Sequence, residues 1–458
     1  MDYDVVIVGG GPAGYPAAIR AAQLGMRAAI IEKEEVGGVC LNWGCIPTKA
    51  LLHVAQKYDF VKNHAKSLGI KCGSVDLDFK GAIEYSRSVV KKLTSGVNFL
   101  LKKNNVDLFK DIAELKSDKS IALKQSGKRI SAKNVIIATG ASARSIKGLE
   151  FDNDLIWNYR DAMVPKKLPK SILIVGSGAI GMEFACIYNA FGCSVTVTEM
   201  QDVILPTEDK EISQTAEGIF AKRGIKIFKN CTVKNLDKNN DGTSVTLSNG
   251  KTINAEKILV AAGVTPNSAG IGIENFKNIK TEKGFIATDS DFKTQEENIY
   301  AIGDVRCAPC LAHKAIHEGI LCVEGIAGKK IRQINRFDIP GCVYTFPQIA
   351  SVGMTEEAAK QQGYQVKIGK AKPEANGKAV ATGNTQGLIK TIFDKKTGEL
   401  LGAHMIGHEV TEMLQGFVIA KNLEATDEYL RHVVFAHPTI SESMHESVLD
   451  ADGQAIHS

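Results

Sequence analysis

Short β-branched apolar runs recur along the chain, each followed by a glycine cluster and then by helical periodicity. The first is Val-Val-Ile-Val at residues 5–8, the composition of a strand buried on both faces of a parallel sheet. It leads straight into Gly9-Gly10-Gly11-Pro12-Ala13-Gly14. Helical sequence over residues 17–24 ends at Gly25, and a second strand over residues 27–31 closes with Glu32. A G-x-G-x-x-G turn between strand and helix, with an acid about 20 residues further on, predicts a βαβ unit shaped for a dinucleotide pyrophosphate. Pro16 falls early in the helix, where a missing N–H costs little.

The pattern repeats. Residues 172–175 form an apolar strand, Gly176-Ser177-Gly178-Ala179-Ile180-Gly181 is a second glycine turn, a helix runs through Phe191 to Gly192, and a strand over 195–198 ends at Glu199. One such turn is weak evidence, since glycines also serve plain tight turns. Two in the same strand–turn–helix–strand–acid context predict two separate dinucleotide sites. Residues 135–140 and 258–263 are further strands that end in Gly140 and Gly263. Each reads as the exit from a nucleotide half, so the stretch between them reads as an inserted domain. Residues 298–304 form another strand, ending in Gly303-Asp304. From about Phe337 the strands shorten and polar turns and helices follow, the pattern of an α+β domain. The expected fold is α/β, with two Rossmann-like doubly wound nucleotide-binding domains, the second inserted in the first, and a C-terminal α+β domain. The expected boundaries are 1–145 and 269–335 for the two parts of the first nucleotide domain, 146–268 for the inserted one, and 336–458 for the last.

Composition narrows the classes. The 458 residues exceed one ordinary domain, and 44% hydrophobic with 23% charged residues excludes disordered and fibrous classes. A net charge of +5 is too weak at this length to point to nucleic acid or an acidic membrane as partner. No run reaches the ~18 apolar residues of a membrane span. The start Met1-Asp2-Tyr3-Asp4 has neither a basic signal region nor a transit pattern, so a cytoplasmic location is expected. Ten cysteines are too sparse for a secreted disulfide scaffold, and most are expected to be reduced thiols.

Two of those cysteines stand apart, in Gly37-Gly38-Val39-Cys40-Leu41-Asn42-Trp43-Gly44-Cys45-Ile46-Pro47-Thr48-Lys49. Helical sequence follows over residues 49–56. A thiolate at Cys45, near the helix N-terminus, gains from the helix dipole, and a thiolate there suits an electron-accepting ring. Cys40, a loop away, is placed to exchange with a substrate thiol, and Gly44 permits the bend between them. The other readings are a zinc site, which needs two more ligands at comparable spacing, and ordinary buried thiols.

The string from Cys40 to Lys49 resembles the redox motif of the dihydrolipoamide dehydrogenase family within the flavin-dependent disulfide reductases. The resemblance extends over nearly the whole chain: Thr294 with the residues of 299–304, Leu311-Ala312-His313-Lys314-Ala315, and His437-Pro438-Thr439-Ile440-Ser441-Glu442. It implies that Gly9, Gly11 and Gly14 hold the FAD pyrophosphate, that Glu32 binds the adenosine ribose, and that Asp304 binds the flavin side. Lys49 would stand near the flavin and pair with Glu183, and Ala113, Thr139, Gly140 and Ala312 also belong to the FAD site. Gly176, Gly178, Ile180, Gly181, Glu183, Glu199 and Gly263 would form the NAD site. Glu199 favours NAD over NADP, because a carboxylate accepts from a ribose hydroxyl and repels a 2′-phosphate.

The resemblance also implies a Cys40–Cys45 disulfide. His437 would be the base that deprotonates dihydrolipoamide, with Glu442 orienting it. The histidine would serve the disulfide of the other subunit of a homodimer, through a C-terminal dimerisation domain. Substrate electrons would then pass by way of the disulfide and FAD to NAD⁺. With no lipoyl domain expected in the chain, the lipoyl group would arrive on the acyltransferase of a 2-oxo acid dehydrogenase complex or on the glycine-cleavage carrier protein. The enzymatic alternative is a related flavin-dependent reductase with another thiol substrate. Mercury is disfavoured because residues 453–458 lack a cysteine pair, and glutathione because of Glu199. A non-catalytic nucleotide-dependent scaffold would not need Cys40, Cys45, His437 and Glu442.

Two weaker signals remain. Cys307-Ala308-Pro309-Cys310 departs from the family pattern, and plain thiols are expected there rather than a second redox pair or a metal site. His404 and His408 are four apart, but strand-like sequence and Gly407 argue against a shared metal. Cys72, Cys186, Cys193, Cys231, Cys322 and Cys342 read as ordinary thiols.

Overall fold

The structure, a computed structural model, describes residues 1–239 and 242–457; Ser458, in the C-terminal segment read above, lies outside them. The chain divides into two compact units, one of Met1–Leu51, Lys80–Arg144 and Gly263–Ile334, the other of Leu52–Phe79, Ser145–Ala262 and Asn335–Ser458.

In the first unit, five parallel strands lie in the order Ile299–Ala301, Ala132–Ile137, Tyr3–Val8, Ala28–Glu32, Asp107–Lys110. Tyr3–Val8 is central, with Val5 opposite both Ala28 and Asn134. Its Val5, Val6 and Ile7 are 0% exposed, because both faces are covered. Ala17, Ala18 and Ala21 of the helix Gly14–Gln23 pack on one face with Ala315 and Val323 of the helix Ala312–Ile326. On the other face lie Leu115, Ile121 and Leu123 of a three-stranded antiparallel sheet. Each fully buried aliphatic chain contributes about 1.5–3 kcal/mol, which explains why the central strand is wholly apolar from Val5 to Val8. Pro16 is the third residue of its helix, where the backbone N–H has no intrahelical acceptor. The chain leaves this unit through Ala141–Ala143 and returns through Val264–Pro266, and these two strands pair antiparallel. Ile299–Ala301 then completes the first sheet, so the second nucleotide-type domain is inserted in the first.

The second unit repeats the parallel arrangement, in the order Lys226–Phe228, Ser194–Thr198, Ser171–Val175, Lys257–Val260, Ile156–Trp157. Val175 stands opposite Thr198 as Val8 stands opposite Ile31 in the first unit. The C-terminal part is an antiparallel sheet in the order Gly341–Val343, Gln348–Gly353, Leu400–Gly407, Leu388–Asp394, Val366–Ala371. Every residue of Leu388–Asp394 is buried, Lys390 included. The helices Val410–Asn422 and Glu442–Asp450 contribute Leu414, Phe417, Met444 and Val448 to its core.

Lys390 is 2% exposed and lies among three carboxylates, 2.7 Å from Glu356, 2.9 Å from Asp209 and 3.3 Å from Glu211. Burial opposes its charge, but the hydrogen bonds to Glu356 and Asp209 hold its ammonium above the usual range. Burial likewise opposes the charge on Asp209, and the bond from Lys390 holds that carboxyl below its usual range. Asp209 caps the helix Lys210–Lys222, so the cluster ties that helix to the C-terminal sheet. A depressed carboxyl stabilises the fold above its unfolded value of about 4 and loses that contribution as the pH falls through its folded value. Lys390→Ala is expected to destabilise the chain by about 3–5 kcal/mol, read as a lowered melting midpoint at neutral pH. The difference from the unaltered protein should shrink below about pH 4.

Candidate active site

Both strand-to-helix turns are built by exclusion. A Cβ on Gly14 would stand 1.9 Å from the carbonyl oxygen of Gly9, and one on Gly181 would stand 2.0 Å from that of Gly176. Gly9 and Gly176 have φ of +108° and +105°, a region open mainly to glycine. The middle glycines face space instead: nothing lies within 4 Å of a Cβ on Gly178, and only the Gly38 Cα, at 3.8 Å, near one on Gly11.

The acid that closes each unit is fastened to its turn. The Gly10 N–H donates to Glu32 Oε2 at 2.7 Å and the Glu34 N–H to Oε1 at 2.8 Å. In the second unit the Ser177 N–H and Oγ–H donate to Glu199 Oε2 at 2.9 and 2.7 Å, and the Gln201 N–H to Oε1 at 3.0 Å. Each carboxylate is fixed at the carboxyl end of its strand and keeps lone pairs for a ligand hydroxyl. Ile180 is 39% exposed beside the second turn. Glu183, 4% exposed on the helix Ala179–Ala190, accepts the Tyr344 N–H at 2.9 Å.

Cys40 and Cys45 are joined by a disulfide, with Cα atoms 4.7 Å apart. Cys45 opens the helix Cys45–Asp59, four residues before the start expected from the sequence, and Cys40 lies in a short helix, Gly38–Trp43, rather than in a loop. Gly44 breaks the two apart, with φ −136° and ψ −112°, and its carbonyl accepts the Thr48 N–H at 3.1 Å, the first bond of the longer helix. Asn42, itself in the short helix, fastens it to the turn before it: its Nδ2 donates to the carbonyls of Val36 and Gly38. Arg87 Nη1 donates to the Asn42 carbonyl at 2.6 Å, its guanidinium lies over the Trp43 ring at 4.4 Å, and Ser86 Oγ donates to the Pro47 carbonyl at 3.0 Å. Nothing in the local sequence of Ser86 and Arg87 announces this; both lie within a long amphipathic helix, Phe79–Lys103. Lys49 stands one turn after Cys45 on its helix.

Asp304 lies in the same unit, in a 3₁₀ turn, Gly303–Val305. Burial pushes its carboxyl up to about 6, against the nearby Lys314 ammonium. Glu318, 1% exposed, accepts the Gly303 N–H at 2.6 Å and pairs with Lys314 at 3.1 Å and Arg306 at 2.9 Å. The spacing of Lys314 and Glu318, four apart on one helix, is the one sequence signal for this group. Ala113 is buried in Ala113–Leu115, and Ala312 opens its helix. Thr139 and Gly140 are held through Asn267, which accepts from Thr139 Oγ1 and donates its own N–H to the Gly140 carbonyl. The Gly263 carbonyl accepts the Arg144 N–H at 3.0 Å.

His437 and Glu442 belong to the other unit. His437 Nδ1 lies 2.9 Å from Glu442 Oε1, and Glu442 Oε2 accepts the Thr439 N–H at 2.9 Å. That backbone bond first, and the histidine second, hold the Glu442 carboxyl below its usual range. The His437 side chain is 78% exposed, so the ring is oriented through Nδ1 while its other edge faces outward. His404 is buried within a strand, Nε2 2.9 Å from the Met354 carbonyl, while His408 lies 3.6 Å from Glu409. Among the described residues no group of three or more His, Cys, Asp or Glu is arranged to hold a metal. Nor is any helix among them long and apolar enough to cross a membrane.

Residues 3–319 match the family described as pyridine nucleotide-disulphide oxidoreductase, and residues 339–448 match the dimerisation domain of that family. The chain is 47% identical to a dihydrolipoyl dehydrogenase of Rhizobium etli, covering 99% of both chains. It is 42% identical to one of Bacillus subtilis, covering 100% of this chain and 99% of that one. Among solved structures, LpdA of Mycobacterium tuberculosis superposes with a TM-score of 0.90 at 25% identity, over 97% of this chain and 98% of the other. An HOCl-induced flavoprotein disulfide reductase of Escherichia coli gives 0.88 at 28%, over 97% and 99%.

Eight cysteines are free and two are bridged. Alkylation of the unfolded, unreduced protein is therefore expected to label eight and to spare Cys40 and Cys45, whereas labelling at all ten would remove the bridge.

Proposed function

We propose a function for a chain that belongs to the pyridine nucleotide-disulphide oxidoreductase family: it oxidises protein-bound dihydrolipoamide to lipoamide and reduces NAD⁺ to NADH. The observation that carries this reading is the Cys40–Cys45 bridge at the head of a 15-residue helix, in the same unit as a dinucleotide turn and the desolvated Asp304. The full-length likeness to dihydrolipoyl dehydrogenases supports it.

The residues present fit both cofactors. FAD would lie against the turn of Gly9, Gly11 and Gly14, with the open space at Gly11 for its pyrophosphate, Glu32 for its ribose, and Asp304 for the hydroxyls on its flavin side. A carboxyl that burial pushes up to about 6 is one that gains from ligand donors. NAD would lie against Gly176, Gly178 and Gly181, with Glu199 accepting from its ribose. When bound, FAD supplies a two-electron acceptor for the reduced cysteine pair and NAD⁺ a terminal hydride acceptor.

The chain's own side chains carry the sulfur chemistry. His437, held by Glu442, takes a proton from one thiol of dihydrolipoamide. That thiolate attacks Cys40, the Cys40–Cys45 bond breaks, and Cys45 leaves as a thiolate. The N-terminus of its helix stabilises that charge. His437 then gives its proton to Cys40 and takes that of the second substrate thiol, whose sulfur attacks the substrate sulfur bonded to Cys40; lipoamide departs as a disulfide, Cys40 leaves as a thiol, and His437 releases the remaining proton to solvent. The exposure of His437 suits service to the disulfide of a second subunit, and the dimerisation domain supports a homodimer. The lipoyl group arrives on the acyltransferase of a 2-oxo acid dehydrogenase complex or on the glycine-cleavage carrier, in the cytoplasm.

Cys45→Ser is expected to abolish NADH formation from dihydrolipoamide while the protein stays folded; full turnover in that variant would sink the mechanism. Glu442→Gln should lower turnover by about 10²-fold or more with the melting midpoint little changed. Gly178→Val adds a side chain into open space, so the fold should survive while the KM for NAD⁺ rises about tenfold or more. Activity with glutathione and NADPH but none with dihydrolipoamide would favour the related-reductase reading instead.

A further inference from the structure

The proposed reaction leaves a second cysteine pair unused. Cys307 and Cys310, three residues apart, are both free and half-buried. They lie between the turn that carries Asp304 and the helix Ala312–Ile326. The two thiols differ in surroundings. Arg306 Nη1 donates to Cys307 Sγ at 3.4 Å, and this guanidinium is held in place by Glu318 at 2.9 Å, by Thr288 at 2.6 Å and over the Phe292 ring at 5.1 Å. Lys314 Nζ donates to the Cys307 carbonyl at 2.9 Å. A permanent, anchored cation therefore stands against the sulfur that would carry negative charge during attack. Burial pushes the Cys310 thiol up to about 12, so it rests protonated.

We propose that Cys307 and Cys310 form an oxidisable dithiol, distinct from Cys40–Cys45, that closes to a disulfide on reaction with a peroxide. Cys307 is the attacking sulfur and Cys310 the resolving one. In the first step the Cys307 thiolate attacks one peroxide oxygen and the O–O bond breaks. The leaving hydroxide takes up a proton to become water, and Cys307 is left as a sulfenic acid. In the second, Cys310 sulfur attacks Cys307 sulfur, the S–O bond breaks, and hydroxide leaves to combine with the Cys310 proton as a second water. Two thiols lose two electrons and one peroxide gains them. The new bond closes a short loop across Ala308-Pro309 and covalently fastens the segment that joins Asp304 to the following helix. A reducing dithiol reverses it.

The sequence makes the test direct, because trypsin separates the two pairs. Cleavage after Lys33 and Lys49 releases 34–49 with Cys40 and Cys45, and cleavage after Arg306 and Lys314 releases 307–314 with the second pair. The holoenzyme is treated with hydrogen peroxide, quenched, alkylated unfolded and digested. The expected product is 307–314 without alkyl groups and two hydrogens lighter than the dithiol, while Cys186, Cys193 and Cys231 remain alkylated. A doubly alkylated 307–314, or one carrying sulfinic or sulfonic acid with no disulfide, overturns the proposal. In Cys310→Ser, dimedone should trap a sulfenic acid on Cys307; an unmodified Cys307 overturns the order of attack. Arg306→Gln should slow closure about threefold or more and Arg306→Lys should restore most of the rate. Equal rates in all three proteins remove Arg306 from the account.

Discussion

The structure depends on a close approach of backbone to backbone. Where the first strand turns into its helix, the Gly9 carbonyl occupies the place that a side chain on Gly14 would need, 1.9 Å from the position of its Cβ. Any Cβ there would push the helix, and its N-terminus, off the sheet. The same contact recurs between Gly176 and Gly181 at 2.0 Å. In both places the acid at the end of the next strand then captures the amide of the turn's second residue, Gly10 by Glu32 and Ser177 by Glu199. One steric solution, used twice, gives the chain two similar turns in two separate compact units.

The sulfur chemistry rests on a second local device. Gly44 ends one short helix and starts a longer one, so that Cys40 lies on the first and Cys45 heads the second. The bridge thereby joins the short helix to the residue that opens the longer one. Arg87 supplies rigidity from outside and Asn42 from within the short helix, since a mobile link would misplace the sulfurs. The base of the proposed reaction, His437 with Glu442, lies in the other unit, within the part of the chain that matches a dimerisation domain. In the proposed reaction, sulfur exchange and proton transfer are carried on different parts of the chain, and the dimerisation domain supports a homodimer.

What could be read without coordinates was whatever depends on short spacing. The strand–glycine–helix–acid pattern spans some thirty residues, so the β-branched runs and the glycine turns already imply parallel sheets and an inserted second domain. The Cys40 and Cys45 spacing and the His437 and Glu442 spacing of five are of the same kind. The redox helix starts at Cys45, four residues before the helical run legible over residues 49–56, and Gly44 and Pro47 at its start look like loop chemistry. In the fold Pro47 sits in the first helical turn, where its missing N–H is harmless.

Tertiary structure alone decided the interactions between residues remote in sequence. Lys390 and Asp209 are 181 positions apart, and Arg87 and Asn42 are 45 apart; no periodicity links them. The desolvation of Asp304 and the anchoring of Arg306 by Glu318 and Thr288 arise from what packs around a turn, which composition does not encode. The sequence by itself determined the local backbone geometry, because glycine, proline and β-branched residues restrict φ and ψ within a few positions. It left open the surroundings of each charge, because burial and partners are set only once distant strands and helices have found one another.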